Sequence, residues 1–171
     1  MLSFLERNLR KCPPDIKLKC FNALVRPILE YSCSIWDPHK SNQIDRLEML
    51  NKRAARFITG NHVFEHGNTK KNMMALGWPP LQERRVKIKL QTLFKIKNNI
   101  IHAPHDDLIP LRTPRCPFNY FVPRSTVDAH LYSFFPSSIR LWNSLPESIK
   151  ASDSLPTFKS SISNYTICSS Y

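Results

Sequence analysis

One amphipathic segment, residues 44–58, constrains the fold more than any other part of the sequence. Apolar side chains recur in it at helical spacing and predict a helix over about 42–58 with one face in a core. Lys52, Arg53 and Arg56 lie on the remaining surface of that helix. The segment therefore predicts a helix that is anchored on one side and positively charged on the other. The predicted core face comprises Ile44, Leu47, Leu50, Ala54, Phe57 and Ile58.

Helical spacing of apolar residues recurs along the sequence and predicts a mainly α-helical chain. Pro27 should kink or split the second helix, because proline removes a backbone donor inside a helix. Ser41 is expected to cap the helix at 42–58, Gly60 to end it, and Ser154 to cap a last helix that buries Leu155, Phe158 and Ile162. In order, apolar periodicity and its proline and glycine breaks predict helices over 1–12, 15–32, 42–58, 70–76, 80–101 and 137–144, followed by that last helix.

Composition changes near residue 102, where prolines and aromatic residues become frequent and regular periodicity fades. Within this part, residues 118–131 are expected to hold short strands or extended chain. The sequence therefore divides into a helical, basic region over 1–101 and a Pro/aromatic-rich, partly irregular C-terminal segment with short helices over 102–171.

Net charge points to the class of partner. The chain carries 25 Lys and Arg against 13 Asp and Glu, a formal charge of +12. Residues 46–100 hold twelve of these basic residues and three acidic ones, so +9 of the charge lies there. A charge of this size and sign favours a polyanion, with nucleic acid first and an anionic membrane surface second. No apolar run approaches the length that crosses a bilayer, which favours nucleic acid and predicts no membrane partner.

Seven basic side chains are the candidate phosphate contacts of this sequence. They sit on the predicted helices at 42–58 and 80–101, interleaved with aromatic residues, as in many nucleic-acid-binding surfaces. The alternative for each of them is a solvated helix face. The candidates are Lys52, Arg53, Arg56, Arg84, Arg85, Lys87 and Lys89.

Patterns that would carry catalysis or hold a metal are weak. His62 and His66 flank Glu65 without the HExxH order, so a solvated loop is the better interpretation. Asp106-Asp107 lies in a proline-flanked loop rather than in a strand hairpin, which favours a surface loop over a metal-binding pair. Only three glycines occur, and none forms a phosphate-binding loop.

Cysteine and tryptophan are expected to serve the core. The five cysteines are odd in number and widely spaced, which predicts reduced, structural thiols in an intracellular protein. Trp36, Trp78 and Trp142 could stack on bases, but each lies beside a proline or an apolar cluster, so core packing is the favoured interpretation.

Several segments, read in order, resemble one protein family. They are Phe4-Leu5-Glu6-Arg7-Asn8-Leu9, Cys12-Pro13, Leu24-Val25-Arg26-Pro27-Ile28-Leu29-Glu30-Tyr31, Trp36-Asp37-Pro38, Arg53-Ala54-Ala55-Arg56-Phe57, Leu76-Gly77-Trp78, Leu81-Gln82-Glu83-Arg84-Arg85, and Phe134-Phe135-Pro136 followed by Ile139-Arg140-Leu141-Trp142-Asn143-Ser144-Leu145-Pro146. Their order and spacing resemble the C-terminal part of reverse transcriptases from non-LTR retrotransposons, the LINE-like elements of the jockey and CR1 type. The resemblance spans residues 2–162.

The resemblance implies a helical thumb-like bundle and the segment beyond it, which together grip RNA or an RNA–DNA duplex. It also implies the fingers and palm of the parent polymerase as partners and a nuclear location. The palm's aromatic-Ala-Asp-Asp motif is missing from this sequence, so no catalytic residue and no cofactor is carried over. Two alternatives stay open. One is a truncated gene model of an active endonuclease and reverse transcriptase, and the other is a transposon-derived interaction module or inert relic.

Overall fold

A computed structural model describes residues 1–60, 68–103, 108–111 and 117–165. The described chain is mainly helical, as the sequence predicts, with one isolated antiparallel bridge between Pro110 and Tyr120. Its helices are α1 (Leu2–Asn8), α2 (Pro14–Leu24), α3 (Arg26–Glu30), α4 (Cys33–Trp36), α5 (Ser41–Thr59), α6 (Asn68–Ala75), α7 (Leu81–Lys97), α8 (Asp128–Leu131), α9 (Phe134–Asn143), α10 (Glu147–Lys150) and α11 (Leu155–Asn164). None of these described helices is long and apolar enough to cross a membrane.

The chain forms two compact units. Unit 1 comprises Met1–Cys33 and Pro38–Arg84, and unit 2 comprises Ser34–Asp37 and Arg85–Tyr171. Helix α7 contributes its first turn to unit 1 and the rest of its length to unit 2. The composition change near residue 102 falls inside unit 2 and does not coincide with the division between the units.

The core of unit 1 is formed by α1, α2, α3 and α5 with the start of α7. Each large apolar side chain removed from water there stabilises the fold by roughly 1.5–3 kcal/mol. Leu2 and Leu5 of α1 are buried in this core, and Leu9 packs against it. The buried members are Leu2, Leu5, Phe21, Val25, Leu29, Ala54, Phe57, Ile58 and Leu81.

Helix α5 differs from its prediction in two details. Ser41 is its first helical residue rather than its cap, because Lys40 holds the capping position and no side chain closes that end. The buried face is also rotated, with Leu50 39% exposed while Asn51 and Ala55 are buried. Gly60 ends the helix as predicted, at φ +69°, a left-handed conformation that glycine adopts without steric cost.

The predicted interruption at Pro27 is confirmed. Helix α2 ends at Leu24 and α3 begins at Arg26, so Pro27 occupies a first-turn position. The missing N–H of a proline costs nothing there, since first-turn donors have no partner within a helix. The chain therefore turns at Val25 instead of continuing one long helix.

Unit 2 is built on aromatic packing between α7, α9 and α11. The Phe94 and Phe158 rings stack with their centres 4.5 Å apart, and the Trp142 ring lies 5.7 Å from Phe158. These contacts place Leu90 and Leu93 of α7 and Ile162 of α11 in a core that also holds Trp142, which is fully buried. Ser154 caps α11 as predicted, its hydroxyl accepting a hydrogen bond from the Thr157 N–H.

Helix α7 is shorter than predicted and ends at Lys97. Asn99 adopts φ +55°, a left-handed conformation that stops the helix, and Ile100 beyond it is 54% exposed. Residues 118–131, expected to hold short strands or extended chain, form in the described chain one bridge at Tyr120, and the end of that range forms α8.

Side chains from α9 and α10 hold the extended chain around Tyr120. The Asn143 carboxamide accepts from the Tyr120 N–H at 3.0 Å and donates to the Tyr120 carbonyl at 2.8 Å. The Trp142 indole N–H donates to the Phe118 carbonyl at 2.9 Å, and Lys150 donates to the Asn119 side chain at 2.7 Å. These bonds satisfy backbone groups that a β-sheet would otherwise pair.

Candidate nucleic-acid interface

Three of the predicted phosphate contacts lie on helix α5 of unit 1. Lys52 and Arg53 are exposed, and Arg56 is half-buried one turn further along. Ala54 and Ala55 between them are completely buried. The same short stretch of helix carries the two buried alanines and the three basic residues. The packing of the alanines therefore fixes the position of the backbone from which these cations extend.

Arg53 is engaged on the protein surface. Its Nε donates to Glu6 Oε1 at 2.9 Å, an Nη donates to the other Glu6 oxygen, and the same Nη donates to Ser3 Oγ at 3.2 Å. This hydrogen bonding raises the pKa of the Arg53 guanidinium. An exposed ion pair of this kind is worth only about 0–1 kcal/mol, so a phosphate can replace Glu6 at little cost.

Arg84 and Lys87 of α7 are both half-buried and engaged. Arg84 Nε lies 2.6 Å from Glu30 Oε1 in unit 1. Its charge also acts on Arg26, whose pKa is lowered first by burial and then by Arg84, while Glu30 opposes the shift. In unit 2, Lys87 Nζ donates to the Ser163 carbonyl at 3.1 Å. Both side chains therefore hold structural contacts in addition to any role at the surface.

Arg85 and Lys89 are buried, which contradicts the prediction that they contact phosphate. Arg85 is 1% and Lys89 is 2% exposed. Arg85 Nε lies 2.9 Å from Asp37 Oδ1, and Lys89 Nζ lies 3.0 Å from Asp37 Oδ2 and 3.2 Å from Ser137 Oγ. Their spacing of four residues places both on the inner side of α7, where Asp37 joins them from a distant part of the sequence.

The group formed by Arg85, Lys89 and Asp37 carries one more positive than negative charge. The two Nη atoms of Arg85 are buried and have no hydrogen-bond partner among the described residues. Unpaired buried donors of a charged group are costly, so the surrounding structure holds them against a penalty. Sequence reasoning missed the role of Asp37, since the Trp36-Asp37-Pro38 motif gives no sign that its carboxylate pairs with two buried cations.

Unit 1 also contains a cleft that the sequence did not indicate. Its volume is about 600 Å³, and it lies where residues of α5 and α6 meet the chain that leads into α7. Met74 is 72% exposed, and Lys52 and Lys70 are exposed too. The lining residues are Glu48, Lys52, Lys70, Met73, Met74, Trp78 and Pro80.

The three tryptophans have different surroundings. Trp142 is completely buried in the core of unit 2, and Trp36 is 40% exposed. Trp78 packs against the core of unit 1 with one side and lines the cleft, so it serves both packing and a surface site. Core packing is therefore confirmed for Trp142 and describes only part of Trp78.

Several weaker candidates lie outside the described residues, namely His62, Glu65, His66, Asp106, Asp107, Cys116 and Cys168. Of the described cysteines, Cys33 is buried, while Cys12 and Cys20 are half-buried, and none of these three forms a disulfide. Among the described residues, no group of three or more His, Cys, Asp or Glu side chains could hold a metal ion.

The structure thus brings Lys52, Arg53 and Arg56 together on α5 and removes Arg85 and Lys89 from the surface. Lys70 lines the cleft together with Lys52. In comparisons with protein-family models, curated proteins and solved structures, nothing matches this chain.

Proposed function

We propose that this chain is the thumb-like and following part of a non-LTR retrotransposon reverse transcriptase, and that it binds RNA or an RNA–DNA duplex. The observation that carries the proposal is the cationic face of α5, where Lys52 and Arg53 are exposed beside the completely buried Ala54 and Ala55. The +9 charge of residues 46–100 and the ordered motifs of the sequence support it.

In this proposal the helical region over 1–101 is a thumb-like bundle, and the Pro/aromatic-rich segment over 102–171 follows it. The chain binds and positions nucleic acid, and the fingers and palm of the parent polymerase supply the chemistry. The protein acts inside the cell, in the nucleus, where a retrotransposon copies its RNA into DNA.

Binding depends on phosphate charge rather than on base sequence. Each Lys or Arg that neutralises a phosphate releases condensed counterions, which makes affinity fall steeply with salt. Phosphate contacts fix the position of a duplex without reading its sequence. Lys52, Arg53 and Arg56 supply these contacts, with Arg53 exchanging Glu6 for a phosphate.

The test is a salt titration of binding to a labelled RNA–DNA duplex. The triple variant Lys52→Ala, Arg53→Ala, Arg56→Ala should bind more weakly, and its log–log salt slope should flatten by up to about three units. The matched control, Arg7→Ala, Arg10→Ala, Lys11→Ala, removes the same charge from other exposed positions of unit 1 and should leave the slope nearly unchanged.

Circular dichroism of both variants must show the helical content of the wild type. A folded wild-type chain that binds no duplex at low salt would contradict the proposal and favour a protein-interaction module. Equal slope changes in both triple variants would instead assign binding to net charge and remove α5 from the interface.

A further inference from the structure

The cleft of unit 1 combines an apolar lining with a net positive charge, since Lys52 and Lys70 line it together with one carboxylate, Glu48. Four of its seven lining residues are apolar, namely Met73, Met74, Trp78 and Pro80. Its volume of about 600 Å³ lies within the range of roughly 300–1,000 Å³ that small-ligand sites occupy. A cleft of this size can enclose one nucleoside-sized group but not a duplex.

The carboxylate in the cleft is committed to the fold. Glu48 Oε2 accepts a hydrogen bond from the Leu81 N–H at 2.9 Å, which caps the first turn of α7. Glu48 Oε1 accepts from Asn51 Nδ2 at 3.4 Å. Neither Lys52 nor Lys70 forms an ion pair with a described carboxylate, so both cations remain for an anionic group that enters the cleft.

The indole of Trp78 is held from one side. The Phe21 ring stacks on it at 4.9 Å, and the Arg26 guanidinium lies 4.8 Å from its centre. Arg26 is also only 5.7 Å from the Phe21 ring, so these two groups cannot stand on opposite faces of the indole. The indole is thereby fixed in orientation while it lines the cleft, as a stacking surface requires.

We propose that this cleft takes an unpaired base of a nucleic-acid strand. The base packs on Trp78 and the two methionines, and the neighbouring phosphate lies between Lys52 and Lys70. Charge and continuity favour this occupant, since Lys52 belongs both to the cleft and to the cationic face of α5. The inference rests on the proposed function and adds that the preferred ligand is a duplex with a single-stranded end.

Three ligands of identical duplex length test this inference by fluorescence anisotropy. One is blunt, one carries a three-nucleotide overhang, and one carries an abasic overhang with the same phosphates. Stacking of a single base should make the normal overhang bind about tenfold more tightly than the abasic one. The abasic overhang should resemble the blunt duplex apart from a small gain in charge.

Two methionine variants localise the effect. Met74→Glu places a negative charge in the cleft, whereas Met49→Glu places the same charge on an exposed position of α5 that does not line it. Met74→Glu should abolish the advantage of the base-containing overhang, and Met49→Glu should retain it. Both side chains are more than 60% exposed, so both variants should fold.

The outcomes separate the two proposals. Binding of all three ligands with equal affinity would overturn the base-binding cleft and leave the duplex proposal standing. Binding of none would overturn both. A short peptide of alternating Asp and Leu tests the alternative occupant. If this peptide binds the wild type without displacing any of the three nucleic acids, and Met74→Glu abolishes its binding, the cleft is a protein-docking site and the inference fails.

Discussion

At the residue scale, Asp37 joins two buried cations, Arg85 through one carboxylate oxygen and Lys89 through the other. Replacing Asp37 by Ala leaves both cations buried without it and should lower the free energy of unfolding by about 3–5 kcal/mol. Urea denaturation monitored by circular dichroism measures this loss.

Lys89→Met is the matched control for that substitution. It removes the excess positive charge and leaves Arg85 paired with Asp37, so its cost should be much smaller than that of Asp37→Ala. If the two variants lost equal stability, the charge imbalance would not be what makes Asp37 important.

Asn143 acts on the extended chain by two hydrogen bonds to one residue. Asn143→Ala leaves the N–H and carbonyl of Tyr120 without these partners and should cost about 1–3 kcal/mol of unfolding free energy. Asn8→Ala, which loses an exposed bond within its own helix, should change stability by less than about 0.5 kcal/mol. Similar losses in both variants would contradict a clamping role for Asn143.

Lys97 makes the free energy of unfolding depend on pH in the alkaline range. Burial lowers its pKa, although its ammonium lies 5.2 Å from the centre of the Trp142 ring. Between the lowered pKa and the ordinary lysine value of about 10.4, the unfolded chain binds more protons, so wild-type stability from this group rises with pH. The stability of Lys97→Met minus that of the wild type should therefore fall as pH rises from neutrality toward about 10.

Urea melts of both proteins at several pH values measure this difference. Tyr120, whose pKa is raised by burial, titrates in both proteins and cancels in the subtraction. A difference that grows with pH would show that Lys97 is not held at a lowered pKa.

Sequence reasoning identified the charged candidates but not their environments. It placed Arg85 and Lys89 among the phosphate contacts of a basic helix, whereas α7 buries the side on which they lie. Their partner Asp37 is 48 residues from Arg85. Periodicity reports the spacing of apolar residues and carries no information on which distant carboxylate will neutralise a cation.

At the scale of elements, the two serines near helix starts provide a matched pair. Ser154 accepts a hydrogen bond from the Thr157 N–H, whereas Ser41 has no such bond. Ser154→Ala should therefore cost about 1 kcal/mol of unfolding free energy, and Ser41→Ala should have little effect. A larger loss at Ser41 than at Ser154 in urea melts would contradict the assignment of the caps.

Helix identity was predictable and helix ends were less so. The breaks at Pro27 and Gly60 followed from backbone chemistry that is local to those residues. The end of α7 did not, because nothing in the sequence around Asn99 indicates that this residue takes a left-handed conformation. Of the short strands or extended chain expected near Tyr120, only one isolated bridge forms in the described chain, because side chains of Trp142 and Asn143 satisfy much of that backbone.

The cleft lay beyond sequence reasoning for a similar reason. Its lining comes from α5, α6 and the turn before α7, and no single helix displays it as a face. Met73 and Met74 are adjacent in the chain, and they share a surface with Lys52 only in the folded protein. Lys70 carried no signal that set it apart from the other lysines.

At the scale of the whole molecule, a charge of +12 predicts binding that tolerates sequence. If phosphates supply the contacts, duplexes of unrelated sequence should bind with affinities within about threefold of one another at a fixed salt concentration. Competition between such duplexes on one labelled probe measures this. A spread of a hundredfold or more would indicate contacts to base edges and would contradict the phosphate-based proposal.

The division into units has a consequence for how the chain can be made and dissected. Residues 34–37 belong to unit 2 although unit 1 flanks them on both sides in sequence. During translation Asp37 leaves the ribosome 48 residues before Arg85. Its carboxylate therefore stays solvated until the two cations with which it pairs have been synthesised. A fragment beginning at Arg85 inherits both buried cations without their carboxylate. Proteolysis or cloning at the division in α7 therefore gives a second half that lacks part of its own unit and should be less stable than that unit in the whole chain.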